Sequence, residues 1–327
     1  MNKISKLKLK NIIKKFKNKR ILVIGDLMLD KYIWGNVTRI SPEAPIPIVH
    51  TTKEETKPGG AANVILNLID LGAKVYCAGV IGKDIAGKEL ISYLKEKNVD
   101  CSSVILDEER PTTIKTRVIA HQQQVVRIDK EKNLPVKEAI LNKIINKIKK
   151  LKDKVDAVVL SDYNKGIFTS SSVHEIITVM RGKIITADPK PRNLKLFRNV
   201  TLVSPNKKEA SEATGIIIEN EKDILHVARE LKNTINADAI LITRGEEGMS
   251  IYDGNHLDTI PTRAREVYDV TGAGDTVIAV ATLALAAGAN FKEASFLSNV
   301  AAGIVVAEVG VATVSPNELL DALNDEF

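Results

Sequence analysis

Short runs of apolar residues that end in polar residues recur along the chain and set its predicted architecture. β-branched residues dominate these runs, which is typical of buried strands. The predicted strands lie at residues 20–25, 74–81, 157–160, 184–187, 201–203 and 239–243. Apolar or amphipathic stretches predict helices at residues 64–71, 85–97, 136–151, 171–181, 207–214, 223–234, 276–287 and 291–309. This alternation predicts an α/β fold with a mostly parallel central sheet and helices on both faces.

Two extended stretches interrupt the alternation. Residues 32–52 contain three prolines, and proline confines a strand to the edge of a sheet. Residues 112–129 form the second stretch. Together they predict a small β-sheet that covers a cleft as a lid, within one domain spanning residues 1–327. A hairpin is predicted at residues 249–261, where Asp-Gly supplies the turn.

The lid also predicts self-association. Tyr32, Ile33, Trp34 and Val49 are apolar residues of its strands. An exposed apolar sheet surface usually needs a cover. We therefore expect a homodimer formed through the lid.

Charge is unevenly distributed along the chain. The first 20 residues carry nine basic residues and no acidic one, whereas the remainder has 38 basic and 41 acidic residues, a net −3. A body with this balance is not a nucleic-acid-binding surface. The basic N-terminal segment could be a membrane-surface helix, but a solvated helix that packs one apolar edge on the body is the favoured interpretation.

Neither targeting nor metal binding is indicated by the sequence. No unbroken apolar core follows the N-terminal charges, and the longest largely apolar run, 277–287, is far shorter than the roughly 20 residues that cross a bilayer. Cys77 and Cys101 lack a metal or redox spacing, and the five histidines are scattered. We expect a cytoplasmic protein without membrane association and with no resident metal cluster.

A glycine-rich turn opens the most apolar of the predicted helices. It is written DVTGAGD and ends at Asp275. The free N–H groups and the dipole of a helix N-terminus bind anions. Asp275 could stabilise the helix end, or it could be the general base for a hydroxyl that attacks a phosphate. The turn alone leaves both roles open.

Polar residues at the ends of successive strands predict a ligand cleft. They are Asp26, Asp30, Ser161, Asp162, Tyr163, Asp188, Lys190, Ser204, Asn206, Thr243 and Arg244. Ligands of open α/β sheets collect beyond the carboxyl ends of the strands. A second glycine-helix junction, Gly59-Gly60 followed by Asn63, offers further donors. For Asp26 and Asp30 the alternative is a structural role as loop caps.

Other phosphate-binding and hydrolytic signatures are absent from the sequence. It contains no GxxxxGK[ST] loop, no GxGxxG after the first strand, no protein-kinase HRD or DFG set and no GxSxG. These absences weaken a dinucleotide-binding interpretation and leave a hydrolase without support.

DVTGAGDT, together with the upstream GGAAN and the intervening NKKE, resembles the ribokinase (PfkB) family of sugar kinases over nearly the whole chain. Within that family, ILVIGDLMLDKYIWG, RISPEAPIPIV and KPGGAANV resemble the kinase domain of the bacterial heptose 7-phosphate kinases. The resemblance implies ATP-dependent phosphorylation of the anomeric hydroxyl of D-glycero-D-manno-heptose 7-phosphate, on the route to ADP-heptose and lipopolysaccharide. It also implies a ribokinase-like fold. A separate polypeptide is expected for the nucleotidyltransferase step.

The resemblance assigns roles residue by residue. It implies that Asp275 is the catalytic base and that the amides of Gly272, Ala273 and Gly274 form an anion hole. The implied ATP-binding residues are Asn206, Lys207, Lys208, Glu209, Thr243, Gly245 and Asn299, with Glu209 holding Mg²⁺ through water. The implied substrate-binding residues are Asp30, Gly59, Gly60, Asn63 and Asp188, with Arg127, Lys165 and Lys190 as candidate partners of the substrate phosphate.

Three questions remain open at this stage. Asp269 and Thr271 could help to hold a monovalent cation, as in some relatives. The closest alternative function is another sugar or sugar-phosphate kinase of the family, similar to phosphofructokinase or ribokinase. An alternative of a different class is a non-catalytic sensor of sugars or nucleotides.

Overall fold

The computed structural model describes residues 4–121, 123–262, 267–308, 310 and 312–326. The strands are β1 Arg20–Gly25, β2 Leu27–Ile40, β3 Pro47–Gly60, β4 Lys74–Gly82, β5 Asp100–Asp107, β6 Thr113–Ala120, β7 Gln123–Lys130, β8 Ala157–Ser161, β9 Ile184–Asp188, β10 Leu202–Val203, β11 Ala239–Thr243, β12 Met249–Tyr252 and β13 Leu257–Ile260. The helices are α1 Lys6–Lys14, α2 Ala61–Asp70, α3 Ile85–Glu96, α4 Glu138–Lys149, α5 Ser170–Val179, α6 Lys207–Thr214, α7 Glu221–Ile235, α8 Ala273–Ala286, α9 Phe291–Val305 and α10 Pro316–Glu326.

The central sheet has the strand order β13-β12-β11-β10-β9-β8-β1-β4-β5. Neighbouring strands from β11 to β5 pair in parallel, and the hairpin β12–β13 is added antiparallel at one edge. One face packs against α1, α2, α3, α8, α9 and α10, and the other packs against α4, α5, α6 and α7. The predicted α/β fold, with helices on both faces and an edge hairpin, is confirmed.

The two extended stretches form a separate four-stranded sheet, with the order β3-β2-β6-β7. We call it the lid sheet. As the prolines predicted, β3 is an edge strand. The strands are longer than expected, because β2 begins at Leu27 and β3 continues to Gly60. Asp30 therefore lies inside a strand and not in a loop.

Several elements differ from the prediction. Strand β5 was missed, because polar residues such as Ser102 and Ser103 interrupt its apolar pattern, and α10 was missed as well. Helix α2 begins at Ala61 and α8 at Ala273, three residues earlier than predicted in each case. Both helices therefore start inside the glycine-rich turns, which places Asn63 and Asp275 in first turns.

The basic N-terminal segment forms a helix that packs on the body, as favoured from the sequence. Leu9, Ile12 and Ile13 of α1 are buried in the core, whereas Leu7 is 69% exposed. No helix in the described part of the chain combines the length and the apolar character needed to cross a bilayer.

Helix α8 is apolar around its whole circumference and almost entirely buried, as such a helix must be. It packs between α2 and α9, and its many alanines allow close approach. A buried hydrogen bond joins α8 to α2, in which Thr276 Oγ1 donates to Asn67 Oδ1 at 2.8 Å. Asn67 in turn donates to the carbonyl oxygen of Asn63 at 3.0 Å. This chain of bonds fixes the two glycine-helix junctions relative to each other.

We expect Thr276→Val to lower the free energy of unfolding by about 1–3 kcal/mol, because a buried acceptor on Asn67 loses its donor. Urea denaturation of the two proteins measures the difference. Thr51→Val, on the exposed edge strand β3, is the matched control and should change stability by less than about 0.5 kcal/mol. Equal stability of Thr276→Val and wild type would contradict the inferred role of this bond.

Candidate active site

A pocket of about 150 Å³ lies where the lid sheet meets the start of α8 and the end of β8. It is lined by Met28, Asp30, Gly60, Asn63, Lys115, Arg117, Tyr163, Thr271, Gly272 and Asp275. Five of these ten residues were predicted site residues: Asp30, Gly60, Asn63, Gly272 and Asp275. A larger groove of about 660 Å³, between α5 and residues 195–199, contains no predicted site residue.

The DVTGAGD turn forms the floor of this pocket. Gly272 is the N-cap of α8 with φ +84°, a left-handed conformation that favours glycine. Asp269 holds the turn, because its carboxylate accepts the amides of Thr271 at 2.9 Å and Gly310 at 3.2 Å. Of the three amides predicted for an anion hole, that of Ala273 donates to the carbonyl of Val270 at 3.3 Å. Among the described residues, the Gly274 amide has no acceptor.

Asp275 lies in the first turn of α8 and is only 4% exposed. Asn63 Nδ2 donates to its Oδ2 at 2.8 Å, and the Tyr163 hydroxyl donates to its Oδ1 at 2.7 Å. Burial raises the pKa of Asp275 to about 6, and the two hydrogen bonds limit the rise. A carboxylate with this pKa is ionised at neutral pH and can accept a proton.

The lid sheet forms the side of the pocket on which the residues predicted to bind sugar lie. Arg117 of β6 forms an ion pair with Asp30 of β2, and its guanidinium lies 5.4 Å from the centre of the Tyr32 ring. A Cβ atom at Gly59 would collide with Asp30 Oδ2, so a larger residue there would displace the carboxylate that pairs with Arg117. Gly60 has φ +56° and connects β3 to α2. The predicted sugar residues Asp30, Gly59, Gly60 and Asn63 are therefore adjacent.

Lys190 connects the pocket to the start of α6. Its ammonium group is 2.8 Å from Glu209 Oε1 and 5.2 Å from the centre of the Tyr163 ring. Asp188, at the end of β9, is buried, and burial raises its pKa to about 8 against the opposing effect of Lys190. Both residues were predicted from their place at a strand end, and the charges of Glu209 and Asp275 are near enough to Asp188 to raise its pKa as well.

Asn206 and Glu209 form a capping box at the start of α6. Asn206 Oδ1 accepts the Glu209 amide at 2.8 Å, and Glu209 Oε2 accepts the Asn206 amide at 3.0 Å. The structural role of this pair is therefore visible without any ligand. Both oxygens of Glu209 are engaged, because Oε1 bonds Lys190.

The other predicted ATP residues surround this helix start. Asn206 pairs with Thr243 in an isolated parallel bridge. Lys207 Nζ approaches Glu247 at 3.6 Å in the short helix that begins at Gly245, whereas Lys208 points along α6 to Glu212 at 3.9 Å. Asn299 is buried in α9 and donates to the carbonyl of Pro261, just after β13, at 2.8 Å.

The remaining predicted cations lie outside the pocket lining. Lys165 forms an ion pair with Glu131 at 2.7 Å, and Arg127 forms one with Asp129 at 3.0 Å. Arg127 is directly opposite Arg117 in the β6–β7 ladder, so both side chains are on the same face of the lid sheet.

Three polar residues of the pocket were not assigned a role from the sequence. Lys115 and Arg117 lie within the stretch that was interpreted only as lid, although their i, i+2 spacing on a strand was a signal that they share one face. Tyr163 was noted as a polar strand end, but nothing in the sequence linked it to Asp275, 112 residues away.

Residues 18–318 match the sequence profile described as pfkB family carbohydrate kinase. The chain belongs to the pfkB family of carbohydrate kinases. It is therefore a phosphotransferase that acts on a sugar hydroxyl, and membership implies ATP as the phosphoryl donor and Mg²⁺ as its counter-ion. Both the family resemblance and the predicted enzyme class are confirmed, against the alternative of a non-catalytic sensor.

The chain is also similar to longer proteins. The bifunctional protein HldE of Helicobacter hepaticus is 44% identical over 312 residues, which cover 95% of this chain and 65% of the relative. HldE of Geobacter metallireducens is 45% identical over 306 residues, covering 92% of this chain and 62% of the relative. The chain thus spans somewhat less than two thirds of the length of these relatives.

Solved structures agree on the fold. Phosphofructokinase-2 from Escherichia coli, in complex with potassium, superposes with a TM-score of 0.76 at 18% identity and covers 94% of this chain and 98% of its own. Ribokinase from Arabidopsis thaliana, complexed with ribose and ATP, gives 0.75 at 20% identity and covers 93% and 98%. The ribokinase-like fold predicted from the resemblance is confirmed.

Proposed function

We propose that this kinase phosphorylates the anomeric hydroxyl of D-glycero-D-manno-heptose 7-phosphate, giving heptose 1,7-bisphosphate. The HldE relatives support the heptose pathway, which leads to ADP-heptose and lipopolysaccharide. Another sugar-phosphate kinase of the same family is the closest alternative. The observation that carries the choice of a phosphorylated sugar is the pair of cations, Lys115 and Arg117, in the pocket beside Asp275.

Lys115 is the more informative of the two cations. It is half-buried, and no carboxylate of the described residues lies within ion-pair distance, whereas Arg117 is neutralised by Asp30. Burial and the nearby charge of Lys165 lower the pKa of Lys115. A partly desolvated cation without an ion-pair partner favours binding of an anion. We propose that Lys115, supported by Arg117, binds the phosphate of the substrate; the predicted cations Arg127, Lys165 and Lys190 would act around it.

The proposed reaction uses Asp275 as general base. The carboxylate accepts the proton of the anomeric hydroxyl as that oxygen forms a bond to the γ-phosphorus of ATP and the bond to the β,γ-bridging oxygen breaks, releasing ADP. We propose that the backbone amides of the glycine turn, with Gly274 free to donate, stabilise charge on the transferred phosphoryl group. Asp30, Gly59, Gly60, Asn63 and Asp188 would shape the sugar side.

The proposed nucleotide side is the edge formed by α6, β11 and α9. Asn206, Lys207, Thr243 and Gly245 lie together there, and we propose that they bind ATP with Lys208 and Asn299. Among the described residues no group of three or more carboxylate, histidine or cysteine side chains could hold a metal. The engaged oxygens of Glu209 thus fit an indirect role, in which it holds Mg²⁺ through water. Mg²⁺ neutralises charge on the ATP phosphates.

Two further parts of the proposal concern partners. Tyr32 is buried, and its ring stacks on that of Trp34 with 5.5 Å between the ring centres. It therefore does not belong to an exposed apolar patch, contrary to the prediction. Among the described residues, the large exposed apolar side chains of the lid sheet are Ile40 at the end of β2 and three residues of β7, Val125, Val126 and Ile128. We propose that a homodimer would use this strand, and that the nucleotidyltransferase step belongs to a unit outside the region matched here.

A monovalent cation site at the DVTGAGD turn is also a proposal. The phosphofructokinase-2 neighbour was solved with potassium. In this chain Asp269 already accepts two amides around the turn, so a cation there would add to an ordered carboxylate. Thr271 lines the pocket beside it.

The substrate is tested by ADP release with heptose 7-phosphate, unphosphorylated heptose, ribose and fructose 6-phosphate. We expect wild type to prefer heptose 7-phosphate. Lys115→Met should raise KM for it by about 10- to 100-fold, since a hydrogen bond between charged groups contributes about 1.5–3 kcal/mol, and should leave the unphosphorylated sugar unaffected.

Lys31→Met, on the lid but outside the pocket, is the matched control and should behave as wild type. Good activity on another sugar with none on heptose 7-phosphate would overturn the heptose assignment. An unchanged KM in Lys115→Met would remove that residue from the phosphate site.

Asp275→Asn tests the base. We expect kcat to fall by about 10²–10⁴, because the amide cannot accept the proton, while KM for ATP stays close to wild type. Steady-state kinetics with the circular dichroism spectrum as a folding check measures this. A rate equal to wild type would exclude Asp275 as the base.

Asn206→Ala and Asn220→Ala separate nucleotide binding from helix capping. Both residues cap a helix through the same capping box, at α6 and α7. Each variant should lose about 1 kcal/mol of stability. Only Asn206→Ala should raise KM for ATP, by about tenfold; an equal KM in both variants would leave Asn206 with a capping role alone.

A further inference from the structure

The Tyr163 hydroxyl contacts the proposed base directly. It donates to Asp275 Oδ1 at 2.7 Å, and Asn63 donates to Oδ2 at 2.8 Å. Each carboxylate oxygen is therefore held by one donor, and each retains a second lone pair. A carboxylate held at both oxygens cannot rotate freely about its Cβ–Cγ bond. Its remaining lone pairs then have fixed directions in the pocket.

Tyr163 is itself fixed by buried carboxylates behind it. Asp26 Oδ2 accepts the amides of Tyr163 at 2.8 Å and Lys165 at 3.0 Å. Asp162 Oδ1 accepts the amide of Asn164, at 2.7 Å, and Asn164 has the left-handed φ of +58°. The loop after β8 is thus held at three successive amides. Asp26, for which the sequence left open a ligand or a loop-cap role, has here the loop-cap role.

The phenol remains a hydrogen-bond donor across the working pH range. Burial and the negative charge of Asp275 raise the pKa of Tyr163 well above its ordinary value. Two ammonium groups contact its ring, Lys115 Nζ at 5.5 Å and Lys190 Nζ at 5.2 Å from the centre. The ring therefore lies between the proposed phosphate side of the pocket and the network that leads to α6.

We propose that Tyr163 is a positioning residue for Asp275. Its hydroxyl orients the carboxylate toward the sugar hydroxyl and stabilises the ionised form that accepts the proton. The inference rests on the proposed function of Asp275 as base, and it adds a residue that the glycine-turn motif does not contain.

The charges around Asp275 determine the sign of the expected effect. Burial raises its pKa, Asp30 raises it further, and the bonds from Asn63 and Tyr163 together with Lys190 lower it. Lys115 and Arg117 line the same pocket, and Asp188 lies beyond Tyr163. A base must be ionised, so activity falls as pH decreases through its pKa. Removing a donor to the ionised form raises that pKa and moves the acidic limb to higher pH.

The test is the pH profile of kcat/KM for Tyr163→Phe between pH 5 and 9. We expect the acidic limb to move up by about one pH unit, because one pKa unit corresponds to about the free energy of one hydrogen bond. At neutral pH kcat/KM for the sugar should fall about tenfold. KM for ATP should not change. A residue that only filled space would lower the rate at every pH and leave the limb in place, so an unmoved limb overturns the proposal.

Tyr252→Phe is the matched control, because its hydroxyl also makes one hydrogen bond, to the carbonyl of Gly254 at 2.9 Å, but on the edge hairpin. It should leave the profile unchanged. If Tyr163→Phe does not fold, 3-fluorotyrosine at position 163 tests the proposal through a shift in the opposite direction. That more acidic phenol is a stronger donor and should move the acidic limb to lower pH; no movement would again contradict the proposal.

Asp275→Asn distinguishes the two possible failures. If Asp275→Asn retains the wild-type rate, the base assignment fails, and the role of Tyr163 fails with it. If Asp275→Asn is inactive while Tyr163→Phe keeps the wild-type acidic limb, only the role of Tyr163 is wrong.

Discussion

A carboxylate buried in the first turn of an apolar helix is the constraint on which the site depends. Asp275 can remain ionised there only because two donors and a helix N-terminus compensate for its lost hydration. Those donors come from different parts of the chain, Asn63 from α2 and Tyr163 from the loop after β8. The buried bond between Thr276 and Asn67 fixes α2 against α8 one turn further along. The contacts that pack α2 against α8 therefore also set the geometry of the site.

The second organising feature is the network from the proposed sugar pocket to the proposed nucleotide edge. Tyr163 contacts Asp275 through its hydroxyl and Lys190 through its ring, and Lys190 bonds Glu209 of the capping box. Helix α6 is thus contacted by a residue that also touches Tyr163 at the proposed acceptor site. In-line phosphoryl transfer requires donor and acceptor to be held within a few ångströms of each other. A shared network of this kind can hold both sides in register while the lid sheet supplies the proposed sugar contacts.

Much of this was predictable from the sequence, for identifiable reasons. β-branched runs such as Arg20–Gly25 and Ala157–Ser161 mark buried parallel strands, and their polar ends must meet at one edge of the sheet. The glycine turns predicted helix starts next to Asn63 and Asp275, within three residues of where α2 and α8 begin. Strand β5 was missed because the alternation of apolar and polar residues is lost at its start. There the Ser102 amide donates a hydrogen bond to the Asp100 carboxylate, as in a turn. Tyr163 and Arg117 escaped because their partners, Asp275 and Asp30, are 112 and 87 residues away.

Lys115 shows how the lid sheet contributes to specificity. In the same strand, Arg117 is neutralised by Asp30, whereas Lys115 has no carboxylate within ion-pair distance among the described residues. Keeping a cation half-buried without such a partner destabilises the lid, because its charge loses hydration. A Met at this position would fill the same space without that desolvation cost. Lys115 also contacts the ring of Tyr163, which holds the proposed base. An anion bound at Lys115 would therefore stabilise the lid strand next to the residue that orients Asp275. On this argument a phosphorylated sugar gains affinity and alignment from the same side chain, and a neutral sugar gains neither.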